Sequence, residues 1–182
     1  MSAATSIRVG VVIAREDVDS KWEDYIWRPV GVLHGEPELD SWQELKRGPG
    51  WVHFYAGTYT IDLFRKETEE YKFNLEGREP VIYVVLSEPD DDDADDEIEC
   101  PYVVHLVTAS PYEAADYLDS GDQVIEPVAM PQSLFALISA FVEEHHVEQK
   151  FKKRKRDEVK LEDHKFGQES IMTLRKRMRQ EN

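Results

Sequence analysis

Six histidines, one cysteine and a block of aspartates are the residues whose types could do chemistry, and their spacing argues against most of it. His145 and His146 are adjacent at the end of an amphipathic stripe, where a cation meets the negative end of a helix dipole. A zinc site would need further ligands at a His-x-x-x-His or Cys-x-x-Cys spacing, and the chain has neither. His53 and His105 fall in strand-like patterns, with no serine, cysteine or aspartate beside them in a nucleophile motif. Cys100 lies beside an acidic run, which raises a thiol pKa and weakens the nucleophile. A calcium loop needs alternating ligands, a turn glycine and a distal glutamate, and the run from Asp90 to Asp96 has no glycine. No G-x-G-x-x-G or Gly-Lys-Ser/Thr loop is present to cradle phosphate. The sequence therefore predicts no catalytic residue, no metal ligand set and no cofactor.

Two other features carry more promise. Aromatic residues are dense around Trp22, Tyr25, Trp27, Trp42 and Trp51. Core packing is the ordinary use of such rings, and anchoring an interface is the other. Within this region Trp27, Arg28, His53 and Tyr55 are the candidate lining of a small-ligand pocket. The second feature is the basic end of the chain. Lys150 to Arg156, KFKKRKR, admits three readings: a solvated tail, a segment docked on the acidic insert, or a nucleic-acid contact. The last lacks interleaved aromatics on which bases would stack. Further on, Ser170 to Arg179 suits a short basic helix with Ile171, Leu174 and Met178 along one side, the candidate anchors for docking on a partner.

The elements that must position these residues centre on Trp51 to Leu86. Trp51, His53 and Tyr55 share one face of a strand, as do Tyr59, Ile61 and Leu63. Tyr71, Phe73 and Leu75 alternate with charged or polar neighbours, which reads as a third, half-buried strand. Val81 to Leu86 is an apolar run suited to burial on both faces. Before this meander, Ile7 to Ala14 reads as a strand, with Gly10 a bulge or a point of close approach. Trp22 to Trp27 has roughly helical spacing that Arg28-Pro29 ends, and Val30 to Leu33 is a short strand. Ser41 to Leu45 reads as one helical turn, before Gly48-Pro49-Gly50 redirects the chain.

After the meander, residues 88–99 form an acidic insert too charged to fold alone, read as a mobile loop. Tyr102 to Val107 is a strand. Ser110-Pro111-Tyr112-Glu113 then combines an N-cap serine, a proline at the first helical position and a glutamate at the third, opening a helix to about Asp119. Gln123 to Val128 is a further strand. From Pro131 to His146 the period becomes helical, with Leu134, Phe135, Leu137, Ile138, Phe141 and Val142 on one stripe. The expected fold is α+β: a mainly antiparallel, curved sheet or partly open barrel covered by two helices. Residues 1–146 make the domain, and 147–182 an extended or loosely helical basic tail.

Charge is distributed unevenly over the 182 residues. From Val147 onward there are 12 basic and 7 acidic residues, and the rest of the chain carries 10 basic against 31 acidic. Phosphate is repelled by such a body, which argues against nucleic acid and anionic membrane as its partners. With one cysteine there is no intramolecular disulfide, which fits a reducing compartment. The N-terminus lacks a secretory signal, and no apolar run reaches the ~18–20 residues of a membrane span. Cytoplasmic is the expected location.

Several stretches together resemble one family. They are RVGVVIAR (Arg8–Arg15), WEDYIWRPVGVL (Trp22–Leu33), Tyr55 to Leu86, HLVTASPYEAADYLDSGDQVIEPVAMP (His105–Pro131) and FVEEHHVEQKFKKRKRD (Phe141–Asp157). They resemble an uncharacterised proteobacterial domain-of-unknown-function family encoded beside formate dehydrogenase genes and their maturation factors. Members are sometimes labelled molybdopterin-guanine dinucleotide biosynthesis protein A. The residues do not suit that label. A nucleotide-transferring enzyme needs a glycine-rich, cationic loop after its first strand, and here Ala14-Arg15-Glu16-Asp17-Val18-Asp19 follows.

Two functions from different classes follow as expectations. The first, implied by the resemblance, is a non-enzymatic accessory protein in the maturation or assembly of a molybdenum-dependent formate dehydrogenase. Its partner would be a subunit of that enzyme or a maturation factor. The alternative is a small-ligand-binding or catalytic protein using the Trp27, Arg28, His53 and Tyr55 pocket. An exposed aromatic patch would favour the first, and a concave site with converging polar groups the second.

Overall fold

The computed structural model describes residues 4–36, 39–89, 100–119, 121 and 123–147, all within one contact unit, Met1–Val147. The acidic residues 90–99, the tail beyond Val147 and its candidate anchors Ile171, Leu174 and Met178 lie outside the described residues. Among the described residues, seven strands form two antiparallel sheets. The first sheet has the order β2-β1-β4-β3, from β1 (Thr5–Asp17), β2 (Tyr25–Leu33), β3 (Gln43–Gly48) and β4 (Trp51–Leu63). The second has the order β6-β5-β7, from β5 (Val81–Ser87), β6 (Val103–Thr108) and β7 (Gln123–Ala129). Three α-helices accompany them among the described residues: α1 (Thr68–Leu75), α2 (Pro111–Leu118) and α3 (Gln132–His145). The fold is α+β, with curved antiparallel sheets that do not close into a barrel.

β1 is central to the first sheet because its residues tolerate burial on both sides. Val9, Val11, Ile13 and Ala14 are all buried, and the strand pairs β2 along one edge and β4 along the other. β5 plays the same part in the second sheet, where Ile82, Val84, Val85 and Leu86 have almost no exposure. β2 approaches β7 and β4 approaches β6, and both sheets contribute to one hydrophobic core. α3 contributes Leu134, Ile138, Phe141 and Val142 to it and packs on α1, while α2 lies against β5, β6 and β7.

The expected helix at Ser110 forms as its cap chemistry dictates. The Ser110 hydroxyl accepts the Glu113 N–H at 3.0 Å and donates to the Glu70 carboxylate of α1. Pro111 occupies the first turn, and the Gly121 N–H returns to Leu118 O at 3.3 Å beyond the last turn. The hairpin between β3 and β4 turns through Pro49-Gly50, where Gly50 adopts φ 75°, a conformation that strongly favours glycine.

Three expectations are corrected. Residues 68–75 form helix α1, not a strand. Its inward residues, Thr68, Tyr71 and Asn74, recur every three positions, while Phe73, assigned to the buried face, is 65% exposed. Glu, Lys and Leu are good helix formers, and a short alternation of polar and apolar residues does not distinguish the two periods. Tyr25 to Trp27 are strand, continuous through Arg28-Pro29. Pro29 is tolerated because β2 is the sheet's terminal strand and carries a bulge there: Val12 faces Gly31, Ile13 faces Pro29, and Val30 is left over. Ser41 to Leu45 is not a helical turn, since β3 begins at Gln43.

Candidate functional site

The four pocket candidates divide between two faces. Opposed residues in a strand pair share a face. Arg28 and His53 both oppose Ala14, and Tyr55 opposes Val12, so these three lie on one side of the first sheet. Trp27 opposes Arg15 and lies on the other. Arg28 is engaged with Glu16, to whose Oε1 its Nε and Nη2 donate at 3.2 and 2.8 Å. That contact raises the guanidinium pKa further. His53 packs against Trp51, centroid to centroid at 4.5 Å, and Lys46 stands 5.9 Å over the same indole. The Tyr55 hydroxyl shares a hydrogen bond of 2.7 Å with Thr58.

Of the four, Tyr55 lines a cleft of about 670 Å³, whose lining does not include Trp27, Arg28 or His53. The cleft follows β1 past the end of its pairing with β2, which stops at Gly10–Leu33. Arg8, His34, Glu36 and Thr58 supply its polar wall, and Leu137 of α3 part of its apolar one. His34 Nδ1 lies 2.9 Å from Ser133 Oγ, tying the loop after β2 to the start of α3. Gly10 permits the Tyr55 ring to lie where it does, since a β-carbon there would sit 2.3 Å from the ring.

The opposite face carries the denser constellation. Arg15, from β1, places its guanidinium carbon 4.4 Å from the Tyr25 ring centroid, 5.8 Å from Trp27 and 5.9 Å from Phe54. Trp27 and Phe54 stack at 5.8 Å, and Trp42 meets both edge-on at 6.2 and 6.5 Å. The register explains the gathering: Arg15 opposes Trp27 across β2, and Ile13 opposes Phe54 across β4. The buried Arg15 Nε has no hydrogen-bond acceptor among the described residues; the ring faces lie within cation–π range of the guanidinium, and the Glu44 carboxylate also interacts with its charge. Beside it, Arg47 grips Glu44 through both carboxylate oxygens and holds that carboxyl below its usual range.

Trp42 is held in the left-handed region, with φ 63°, the only non-glycine residue with positive φ among those described. Its N–H donates to Tyr55 O at 2.5 Å. For a bulky side chain this conformation costs roughly 1–2 kcal/mol, so the surrounding contacts must over-determine it. Sequence reasoning noted the tryptophans but missed Arg15 and Phe54. Arg15 was read only as part of an unsuitable nucleotide loop, and its place on the aromatic face depends on a strand at Tyr25 that the helical spacing concealed.

The remaining titratable candidates have structural settings. His105 is exposed and edge-on to Tyr117 at 5.4 Å. His145 packs on Phe141 at 4.6 Å, and His146 Nδ1 lies 3.1 Å from Thr68 Oγ1. Among the described residues no group of three or more His, Cys, Asp or Glu is placed to hold a metal ion, and no helix is long and apolar enough to cross a membrane. Burial pushes the Cys100 thiol up to about 11, against a weaker opposing effect from its 3.4 Å contact with Tyr102 O. At pH 8 its alkylation by iodoacetamide should be about 100-fold slower than that of a cysteine in a short peptide, because only the thiolate reacts. Equal rates would show an unperturbed thiol.

No curated protein and no solved structure matches the chain. A protein family described as a protein of unknown function (DUF3305) matches residues 8–155, more than three-quarters of the sequence. The match covers β1 from Arg8 onward, the other six described strands, the three described helices, the aromatic face and the cleft apart from Thr5, Ser6 and Ile7, and the chain belongs to that family.

Proposed function

We propose that the chain is a cytoplasmic, non-enzymatic accessory protein that works by binding another protein, in the maturation or assembly of a molybdenum-dependent formate dehydrogenase. The observation that supports a binding role is the Arg15 guanidinium laid on Tyr25, Trp27 and Phe54. Tryptophan, tyrosine and arginine are the side chains that dominate interface energetics, and here they are already pre-ordered by the sheet. The formate dehydrogenase connection rests on the sequence resemblance. The acidic excess before Val147 favours protein over nucleic acid as the partner.

The test is co-purification of the tagged chain with formate dehydrogenase subunits from cells producing both, comparing wild type with Arg15→Gln and Tyr25→Ser. Recovery should fall at least about 10-fold in either variant, since loss of an interface anchor costs about 2 kcal/mol or more. Undiminished recovery with both variants, each shown to be folded by its melting curve, would remove this face from the interaction.

A second reading, a small-ligand protein, is favoured by the cleft, whose volume of about 670 Å³ falls within the range of ligand sites. Its polar residues would be Arg8, His34, Glu36 and Thr58, with Tyr55 the one contribution from the expected pocket. A stoichiometric small molecule released on denaturing the native protein would support it.

A further inference from the structure

The helical side of the molecule presents a different surface. Phe73 of α1 and Tyr112 of α2 are 65% and 56% exposed, and their rings stack at 6.5 Å with an interplanar angle of 20°. Beside them opens a cleft of about 400 Å³ lined by Phe73, Gly77, Val81 and Tyr83, with Glu76 and Glu79 at its polar side. The two segments that carry the stacked rings, residues 67–79 and 111–119, hold eight carboxylates against two cations, Lys72 and Arg78. Lys72 is engaged with Glu76 at 3.9 Å. Glu67 likewise meets Lys66, just before the first segment, at 3.5 Å, and carboxylates remain in excess of cations. Burial, followed by repulsion from Glu67, Glu70 and Asp62, raises the pKa of the Glu113 carboxyl despite a stabilising bond from Thr108.

We propose that Phe73 and Tyr112 anchor a docking surface for a lysine- and arginine-rich segment of a partner protein, which inserts an apolar side chain into the cleft beside Phe73. Paired aromatic rings at a surface supply apolar area at little entropic cost. The surplus of carboxylates around them selects a cationic segment and repels an anionic one. The inference is independent of the Arg15 face, which carries its own cation and presents its rings from the first sheet.

The test uses the full chain and a fluorescein-labelled peptide, KKLFKKLLKKFL, with a counterpart in which every lysine is glutamate. Fluorescence anisotropy should show binding of the lysine peptide, and any binding of the glutamate peptide, which the basic residues 150–156 can attract, should be unchanged by Phe73→Ser. Phe73→Ser and Tyr112→Ser should each weaken binding at least 10-fold, and Glu76→Lys with Glu79→Lys should do the same. Both rings are largely exposed, so thermal melts of the serine variants should stay near wild type, which separates lost binding from lost fold. Equal affinity of wild type and Phe73→Ser would reduce the effect to general charge attraction and overturn the proposal. Binding of the glutamate peptide that Phe73→Ser weakens would overturn its charge argument. A wild-type dimer in sedimentation velocity that Phe73→Ser abolishes would make a second copy the occupant, and would overturn it too.

Discussion

Asn74→Ala should be the most damaging substitution of a polar residue in this protein, lowering stability by about 4 kcal/mol and the melting temperature by about 10–15 °C. Asn74 is 7% exposed and spends its amide on three backbone groups. Its Nδ2 donates to Val81 O and to Ala109 O, each at 2.8 Å, and its Oδ1 accepts the Val81 N–H at 3.1 Å. One side chain thus pins α1 to the start of β5 and to the junction between β6 and α2. Alanine would leave those groups unpaired inside the protein, and each such loss costs about 1–3 kcal/mol. Asn74→Asp should not rescue the loss, because a carboxylate cannot donate to two carbonyls. A melting temperature within about 3 °C of wild type for Asn74→Ala would mean that water replaces the amide, and the brace would lose its importance.

Gly10→Ala should cost about 3 kcal/mol, a large effect for the addition of one methyl group. A β-carbon at this position would lie 2.3 Å from Tyr55 Cε2 and 2.9 Å from its Cζ and hydroxyl oxygen. The ring has little room to retreat, since Tyr55 is 3% exposed and its hydroxyl is engaged with Thr58. The penalty should depend on that ring. In a Tyr55→Ala background the same Gly10 substitution should cost less than about 1 kcal/mol, and the difference is the coupling that a double-mutant cycle measures by denaturant unfolding. Additive costs would show that Gly10 is required for some reason other than the ring.

Both positions bear on the two proposed binding surfaces as well as on stability. Asn74 orients the helix whose next residue outward is Phe73, so a relaxed brace would disorder the aromatic pair with Tyr112. Gly10 sets the Tyr55 wall of the larger cleft. Variants at either position should therefore be read for binding only at temperatures well below their melting points.

The fold was legible in the sequence wherever local and global preferences agree. Ser110-Pro111-Tyr112-Glu113 contains its own cap, so the start of α2 follows from four residues. The stripe from Leu134 to Val142 and the apolar run in β5 each admit one economical burial, and Gly10 marks a close approach that the Tyr55 ring makes. Where the hydrophobic pattern was compatible with two periods, only tertiary pairing decided. Tyr25 and Trp27 became strand because β1 offers a long partner edge, and α1 became helix because Tyr71 and Asn74 both find buried partners from one helical face. The candidate site divided for the same reason. Trp27 and Arg28 are neighbours in the chain, and the pleat of β2 sends them to opposite faces. The sequence by itself determined the α+β class, the cap of α2 and the residues available to the core. The register between strands decided which aromatics meet Arg15 and which line the cleft, because a face is shared between residues distant in sequence only once their strands are paired.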